Sequence, residues 1–266
     1  MSHTGRWIGR IYVLAVAGFS VSPLLIVIVL SFGADDFVVF PPTGFSLRWY
    51  GALLRDGELA RSLALSVEVA AAAAVIGLFA GVPAALALDR ARLPGRGILQ
   101  AIALSPLLLP EVLIGLALLQ FILSTLETSP SFLTLVAAHA VLVFPFIVQF
   151  AGAALVGLNP EIEDAARTLG ARPGRLFAQV TLPAIAPSVA AGALFGFIFS
   201  FDNVAISLFL ASPGATTLPV TLYERATYSN DPSLAAAAAT LIYLGLGAAV
   251  LLRRFSGPAV PATVGQ

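Results

Sequence analysis

Apolar runs occupy nearly the whole chain, and their number decides what it can become. They fall at about residues 11–32, 62–88, 98–123, 132–158, 188–210 and 234–252. The hydrocarbon core of a bilayer is crossed by about 20 helical residues. Within it every backbone polar group must find a partner inside the protein, which a helix provides. Six such runs predict an all-α integral membrane protein with six transmembrane helices, one domain over 1–266. Composition agrees: 59% of the 266 residues are hydrophobic and 11% charged, against about 25% charged in a soluble domain. A cleaved signal peptide is the rival reading of the first run, because Ser31-Phe32-Gly33-Ala34 ends in small residues. That run exceeds the roughly 7–15-residue apolar core of such peptides, so a retained helix is expected.

The same composition excludes several functions. Net charge is zero and there is no lysine and no basic tract, so nucleic acid is not an expected partner. Cysteine is absent, and His3 and His139 are the two histidines, so no metal site is expected. No glycine-rich phosphate loop with its lysine is present, so the chain is not expected to hydrolyse ATP. No Ser/His/Asp constellation suggests an enzyme.

The segments between runs set the topology. Residues 33–61 form a mixed loop stiffened by Pro41 and Pro42, where Ser46 is placed to cap a short helix reaching about Leu54 and Trp49 and Tyr50 suit a membrane surface. Residues 89–97 form a tight basic turn, and 211–233 a second outer loop. The chain closes on Arg253-Arg254 and a Pro- and Gly-containing tail expected to be disordered. With the N-terminus inside, Arg6, Arg10, Arg90, Arg92, Arg96, Arg167, Arg172, Arg175, Arg253 and Arg254 are inner, and Arg48, Arg55, Arg61 and Arg225 outer. This obeys the positive-inside rule and puts both termini in the cytoplasm.

The stretch from Asn159 to Pro187 is the longest polar interruption in the C-terminal half, yet it is patterned like folded structure. Asn159 is a helix cap, Pro160 suits the first helical position, and Glu161, Glu163 and Asp164 sit where the helix dipole favours negative charge. Ile162, Ala165, Ala166 and Leu169 recur at i, i+3, i+4 and i+7, one apolar stripe. Gly170 ends the helix, and Pro173-Gly174 turns the chain into a second short segment closed by Pro183 and Pro187. The stripe has nothing local to be buried against. An amphipathic helix lying on the membrane is the bland alternative to a docking helix.

The run Asp164-Ala165-Ala166, three residues, Gly170, nine residues, Val180-Thr181-Leu182-Pro183 resembles the "EAA" signature of permease subunits of ATP-binding-cassette importers. Asp164 stands where Glu is usual and Val180 where Ile is usual. The resemblance implies a type I importer (MetI-like) permease fold in a bacterial cytoplasmic membrane, with a cytoplasmic coupling helix. It further implies two cytoplasmic ATP-binding subunits, which carry ATP and Mg while this chain holds no cofactor. A second permease chain and an extracytoplasmic solute-binding protein complete the implied complex. Glu161, Ile162, Asp164, Ala165, Ala166, Leu169 and Gly170 are then the ATPase-coupling residues.

Four ionisable residues lie inside apolar runs: Glu68, Glu111, His139 and Asp202. A charge at the helix centre costs about 2.5–3.5 kcal/mol on insertion scales, so such residues are functional candidates. At about 1.5 Å per residue, Glu111 and Asp202 lie roughly 20 Å from the inner surface on different helices. Pro106 and Pro110 interrupt the helix before Glu111, and broken helices at that depth line cavities or pack in protein. Phe195, Phe199 and Asp202 fall at i, i+4 and i+7, setting two aromatic faces beside a carboxylate, a pairing suited to a cation. Asp202, Glu111, Phe199, Phe195 and Asn203 are the expected substrate path. Against this, the phenylalanines would equally face lipid. His139 reads as a packed, hydrogen-bonded side chain, and Glu68 as a hydrogen-bonding partner for a neighbouring helix.

A further likeness bears on cargo. FPPTGFSLRWY (40–50), LSPLLLPEVLIGLALL (104–119) and SFDNVAISLFLASP (200–213) are similar to a permease of spermidine/putrescine importers. There an acid follows the third-helix proline, as Glu111 does, and a Ser-x-Asp-Asp/Asn-Val run matches Ser200 to Val204. The resemblance implies half of a translocation path for a small cation such as a polyamine. Permeases for iron, sulfate or other organic compounds share the EAA loop, and a self-sufficient secondary carrier using Glu111 and Asp202 is the competing class.

Overall fold

The computed structural model describes residues 3–91, 93–212, 215–229 and 231–255. Arg92, Pro213 and the tail beyond Phe255 lie outside the described residues. Every regular element among those described is helical, with two isolated bridges, Gly33 to Phe45 and Ser212 to Ala215.

Helix α1 spans His3–Ser31 and α2 Arg48–Arg55. The Ser46 hydroxyl accepts the Arg48 amide at 3.1 Å, so it satisfies a first-turn donor although Leu47 holds the cap position. Helix α3, Gly57–Arg90, is 34 residues long. Helix α4, Arg96–Leu104, tightens into a 3-10 turn over Ser105–Leu107, and α5 runs Glu111–Ser124. Where the sequence predicts one interrupted run over 98–123, the interruption is a turn of 99°. Pro106 sits in the 3-10 turn, and Pro110, with φ −60° and ψ 125°, is extended and offers no N–H. Helix α6, Phe132–Gly157, starts from a capping box in which Ser131 and Thr134 exchange hydrogen bonds.

Helix α7 is Pro160–Thr168. Helix α8, Pro173–Leu176, passes through a π turn, Phe177–Thr181, into α9, Leu182–Phe201. These three form one run of 29 residues. Pro183 and Pro187 therefore stand inside a long helix instead of closing a short segment. The widened π turn just before Pro183 is where the hydrogen-bond ladder is rearranged to admit a residue without N–H. The chain breaks at 202–204, continues as α10, Ala205–Leu210, then α11, Leu218–Tyr228, and α12, Ser233–Phe255. Helix α11 lies in what the sequence suggests is loop; its Pro219 is in the first turn, where proline is compatible with helix.

Helices over Gly9–Ser31, Gly57–Arg90, Phe132–Gly157 and Pro173–Phe201 are long and apolar enough to cross a bilayer. Counted as one broken span, the bent α4–α5 pair makes five among the described residues, against the six expected; Ser233–Gly247 is a shorter apolar helix.

The chain divides into two compact units. One joins the stretch up to Gly57 to that from Glu224. Within it α1 and α2 both pack on α12, Ser31 and Tyr50 share a 2.7 Å hydrogen bond, and Arg225 pairs with Asp56 at 2.6 Å. The Thr43 hydroxyl and amide both donate to Asp35, holding its carboxyl below the usual range.

The other unit, Glu58–Tyr223, is built on α6 against α9, with α3 also packed on α6 through Val143 and Ile147. Small residues let the backbones approach. A Cβ on Gly196 would lie 2.5 Å from Val143 Cγ1, and one on Gly81 2.8 Å from Ile147 Cβ. Val143 and Ile147 are fully buried. Two ends of the unit can be told apart. Arg90 bonds Glu163 at one, joining the 89–97 turn to the 159–172 segment. Ser212 bonds the Pro130 carbonyl, and Ser66 the Leu218 amide, at the other.

Candidate functional site

The break after α9 and the start of α5 meet. Asp202 closes α9, its amide bonded to the Ile198 carbonyl, and leaves its side chain exposed. Asn203, buried, turns inward. Its Oδ1 accepts the first-turn Ile206 amide of α10 at 2.9 Å, although Val204 holds the cap position, and its Nδ2 donates to Glu111 Oε2 at 2.6 Å. Glu111 is the first residue of α5, where the helix dipole favours a carboxylate.

A cavity of about 250 Å³ opens there, lined by Glu111, Phe146, Phe195, Ile198, Phe199, Asp202 and Asn203. All five expected path residues are thus brought to one cavity. The phenylalanine rings are held from α6: Phe146 packs against Phe199 at 5.0 Å between centroids, and Phe150 stacks on Phe195 at 5.4 Å. Phe146 was not singled out from the sequence, because nothing in α6 itself marks which phenylalanine faces α9. Two carboxylates, an amide and aromatic faces make a lining that favours a desolvated cation over an anion.

The other two ionisable candidates lie elsewhere. His139 is buried and bonded to Ser200 Oγ at 2.7 Å and Ser207 Oγ at 3.1 Å, tying α6 to α9 and α10. Glu68 is exposed on α3 and does not line the cavity.

At the opposite end of α9, Asn159 Oδ1 accepts the Glu161 amide at 3.0 Å and caps α7. Gly170 adopts φ +85°, its amide bonding the Arg167 carbonyl, while the Ala171 amide reaches back to Ala166. This is a Schellman stop, which needs a residue without Cβ strain in the left-handed region. Glu161, Ile162, Asp164, Ala165, Leu169 and Gly170 are exposed and Ala166 half-buried. Leu169 is 89% exposed and Ile162 50%. The apolar stripe is therefore uncovered within this chain.

Glu163, between these residues, is 3% exposed. Its Oε1 accepts from Thr181 Oγ1 at 2.8 Å and Arg90 Nη2 at 3.2 Å, and its Oε2 from Arg167 Nη2 at 3.1 Å. The sequence offers it only as a first-turn acid, and its long-range partners are 73 and 18 residues away.

Comparisons with known proteins identify the family. Residues 73–256 match the family described as binding-protein-dependent transport system inner membrane component. The putrescine transport system permease protein PotI of Escherichia coli (strain K12) is 33% identical over 86% of this chain and 83% of its own length. The spermidine/putrescine transport system permease protein PotC of the same strain is 27% identical over 91% of each chain. A chain from the crystal structure of a bacterial ABC transporter involved in import of the acidic polysaccharide alginate superposes with TM-score 0.74 at 18% identity. That match covers 96% of this chain and 99% of the other. The last likeness establishes the all-α permease fold.

Proposed function

The chain belongs to the family of binding-protein-dependent transport system inner membrane components, and from that premise we propose that it forms half of the path for a small organic cation, a polyamine such as putrescine or spermidine. The permease chain is a non-catalytic membrane subunit. ATP and Mg are held by two cytoplasmic ATPases, a second permease chain completes the path, and a soluble binding protein delivers solute to the outer loops. Both termini face the cytoplasm, with the 159–172 segment on the same side.

The observation that carries the cargo reading is the cavity at the end of α9. Glu111 and Asp202 offer negative charge, Phe195, Phe199 and Phe146 offer ring faces, and Asn203 holds Glu111 in place. An ammonium group that leaves water needs such partners, because an uncompensated buried charge is costly. A ring face adds about 0.5–2 kcal/mol for a cation. A chain with several ammonium groups can keep one on each carboxylate as it moves.

The coupling reading rests on the uncovered stripe of Ile162 and Leu169 on a capped, stopped helix. ATP-driven closure of the ATPases pushes on Glu161–Leu169 and rocks the spans between outward- and inward-open states. Purified complex tests both readings. Solute-stimulated ATP hydrolysis with putrescine or spermidine supports them. Stimulation by an inorganic anion alone would remove the cargo reading, and permease recovered without an ATPase would remove the coupling reading.

A further inference from the structure

We propose that Glu163 is a positioning residue: a buried clamp that fixes the α7 coupling helix to the end of α3 and to the π turn before α9, so that a push on α7 moves both long helices together. This deepens the coupling reading above and rests on it.

The observations are geometric. Of the three acids in the first turns of α7, Glu161 and Asp164 are exposed and Glu163 is buried. Both its oxygens are engaged, and by partners from three elements: Arg90 at the C-terminal end of α3, Arg167 on α7 and Thr181 in the π turn. The arginines are themselves held, Arg167 by Asp164 at 2.5 Å and Arg90 by Asp89 at 3.2 Å. Hydrogen bonds to an ionised carboxylate are stronger than neutral ones, and more so where water is excluded, so three of them on one buried side chain hold α7 to its two neighbours when α7 is displaced.

What lies beyond the clamp gives it a function. From Thr181 the helix runs unbroken through α9 to Phe201, about 30 Å at 1.5 Å per residue. Asp202 and Asn203, at its far end, line the cavity. Gly196 packed on Val143 couples α9 to α6, and Gly81 on Ile147 couples α3 to the same helix. A movement of α7 therefore reaches the carboxylates through one side chain and one helix. The apolar stripe decides whether the ATPase is held. Glu163 decides whether the push is passed on.

The two roles separate experimentally. The assembled complex in proteoliposomes is assayed for ATP hydrolysis and for uptake of radiolabelled putrescine, as wild type, Glu163→Gln, Arg90→Gln, the Glu163→Gln/Arg90→Gln double variant, Thr181→Val and Thr181→Ser. The clamp predicts hydrolysis within about twofold of wild type for Glu163→Gln while uptake falls about tenfold or more, so ATP spent per solute rises. The double variant is no worse than the worse single one. Thr181→Val, which keeps shape and loses the donor, shows the same sign, and Thr181→Ser restores coupling. Equal loss of hydrolysis and uptake, with ATPase missing from the complex, would make Glu163 a docking residue and overturn the clamp. Unchanged ATP per solute in Glu163→Gln and Thr181→Val would also overturn it. Should Glu163→Gln fail to assemble, the Thr181 pair decides alone. Absence of ATPase from the wild-type complex would instead remove the coupling reading itself.

Discussion

Asn203 donates its side-chain amide to the Glu111 carboxylate at 2.6 Å, joining the break after α9 to the break before α5 across 92 residues of chain. The same Asn203 side chain accepts the Ile206 amide in the first turn of α10. One buried residue thus orients an acid and ends a helix interruption.

Replacing Asn203 by alanine removes both bonds and leaves buried polar atoms unpaired. That costs about 1–3 kcal/mol for an unsatisfied group. The expected outcome is a lower melting midpoint of the purified permease complex and uptake reduced several-fold. Wild-type melting and uptake in Asn203→Ala would mean that the contact has no role in shaping the cavity.

Gly170 makes a sharper prediction about the 159–172 segment. A residue with Cβ at φ +85° costs about 1–2 kcal/mol. Gly170→Ala should lower uptake, and Gly170→Asn should lower it less. Gly170→Pro should abolish it, because proline cannot adopt that φ and lacks the N–H that bonds Arg167. Asp164→Lys, which turns a partner of Arg167 into a repelling charge, should also abolish uptake. All four should reach the membrane fraction in normal amount, as an immunoblot would read.

The α6–α9 contact predicts a compensating pair. Gly196→Ala pushes a methyl group against Val143, an overpacking of about 1–3 kcal/mol. Adding Val143→Ala makes room and should recover much of the lost thermal stability. If the double variant melts lower than either single one, these helices do not meet as closely as described.

The cavity-lining residues were legible because charge inside an apolar run is conspicuous, and because i, i+4, i+7 spacing puts Phe195 and Phe199 on the face of Asp202. The capped helix at 160–168 was legible from Asn159, Pro160 and Gly170 for equally local reasons. Glu163 was not, since its burial depends on Arg90 and Thr181, and no local rule pairs residues that far apart. Helix α11 was missed because Pro219 reads as a breaker unless it is known to stand in a first turn. Pro183 and Pro187 misled in the same way: both stand within a long helix, and the π turn at 177–181 just before Pro183 has no sequence signature. The 99° turn between α4 and α5 was visible as Pro106 and Pro110, but no local rule gives its angle.

Uptake of radiolabelled putrescine into ATP-loaded proteoliposomes holding the full complex tests the central claim most directly, with wild type beside Glu111→Gln, Asp202→Asn and their combination. Loss of a charged hydrogen bond to the passing ammonium is worth about 1.5–3 kcal/mol, roughly tenfold or more in rate. The account predicts ATP-dependent accumulation by wild type and about tenfold or greater loss in each variant, with equal recovery of assembled complex. Wild-type accumulation by the Glu111→Gln/Asp202→Asn protein would contradict it.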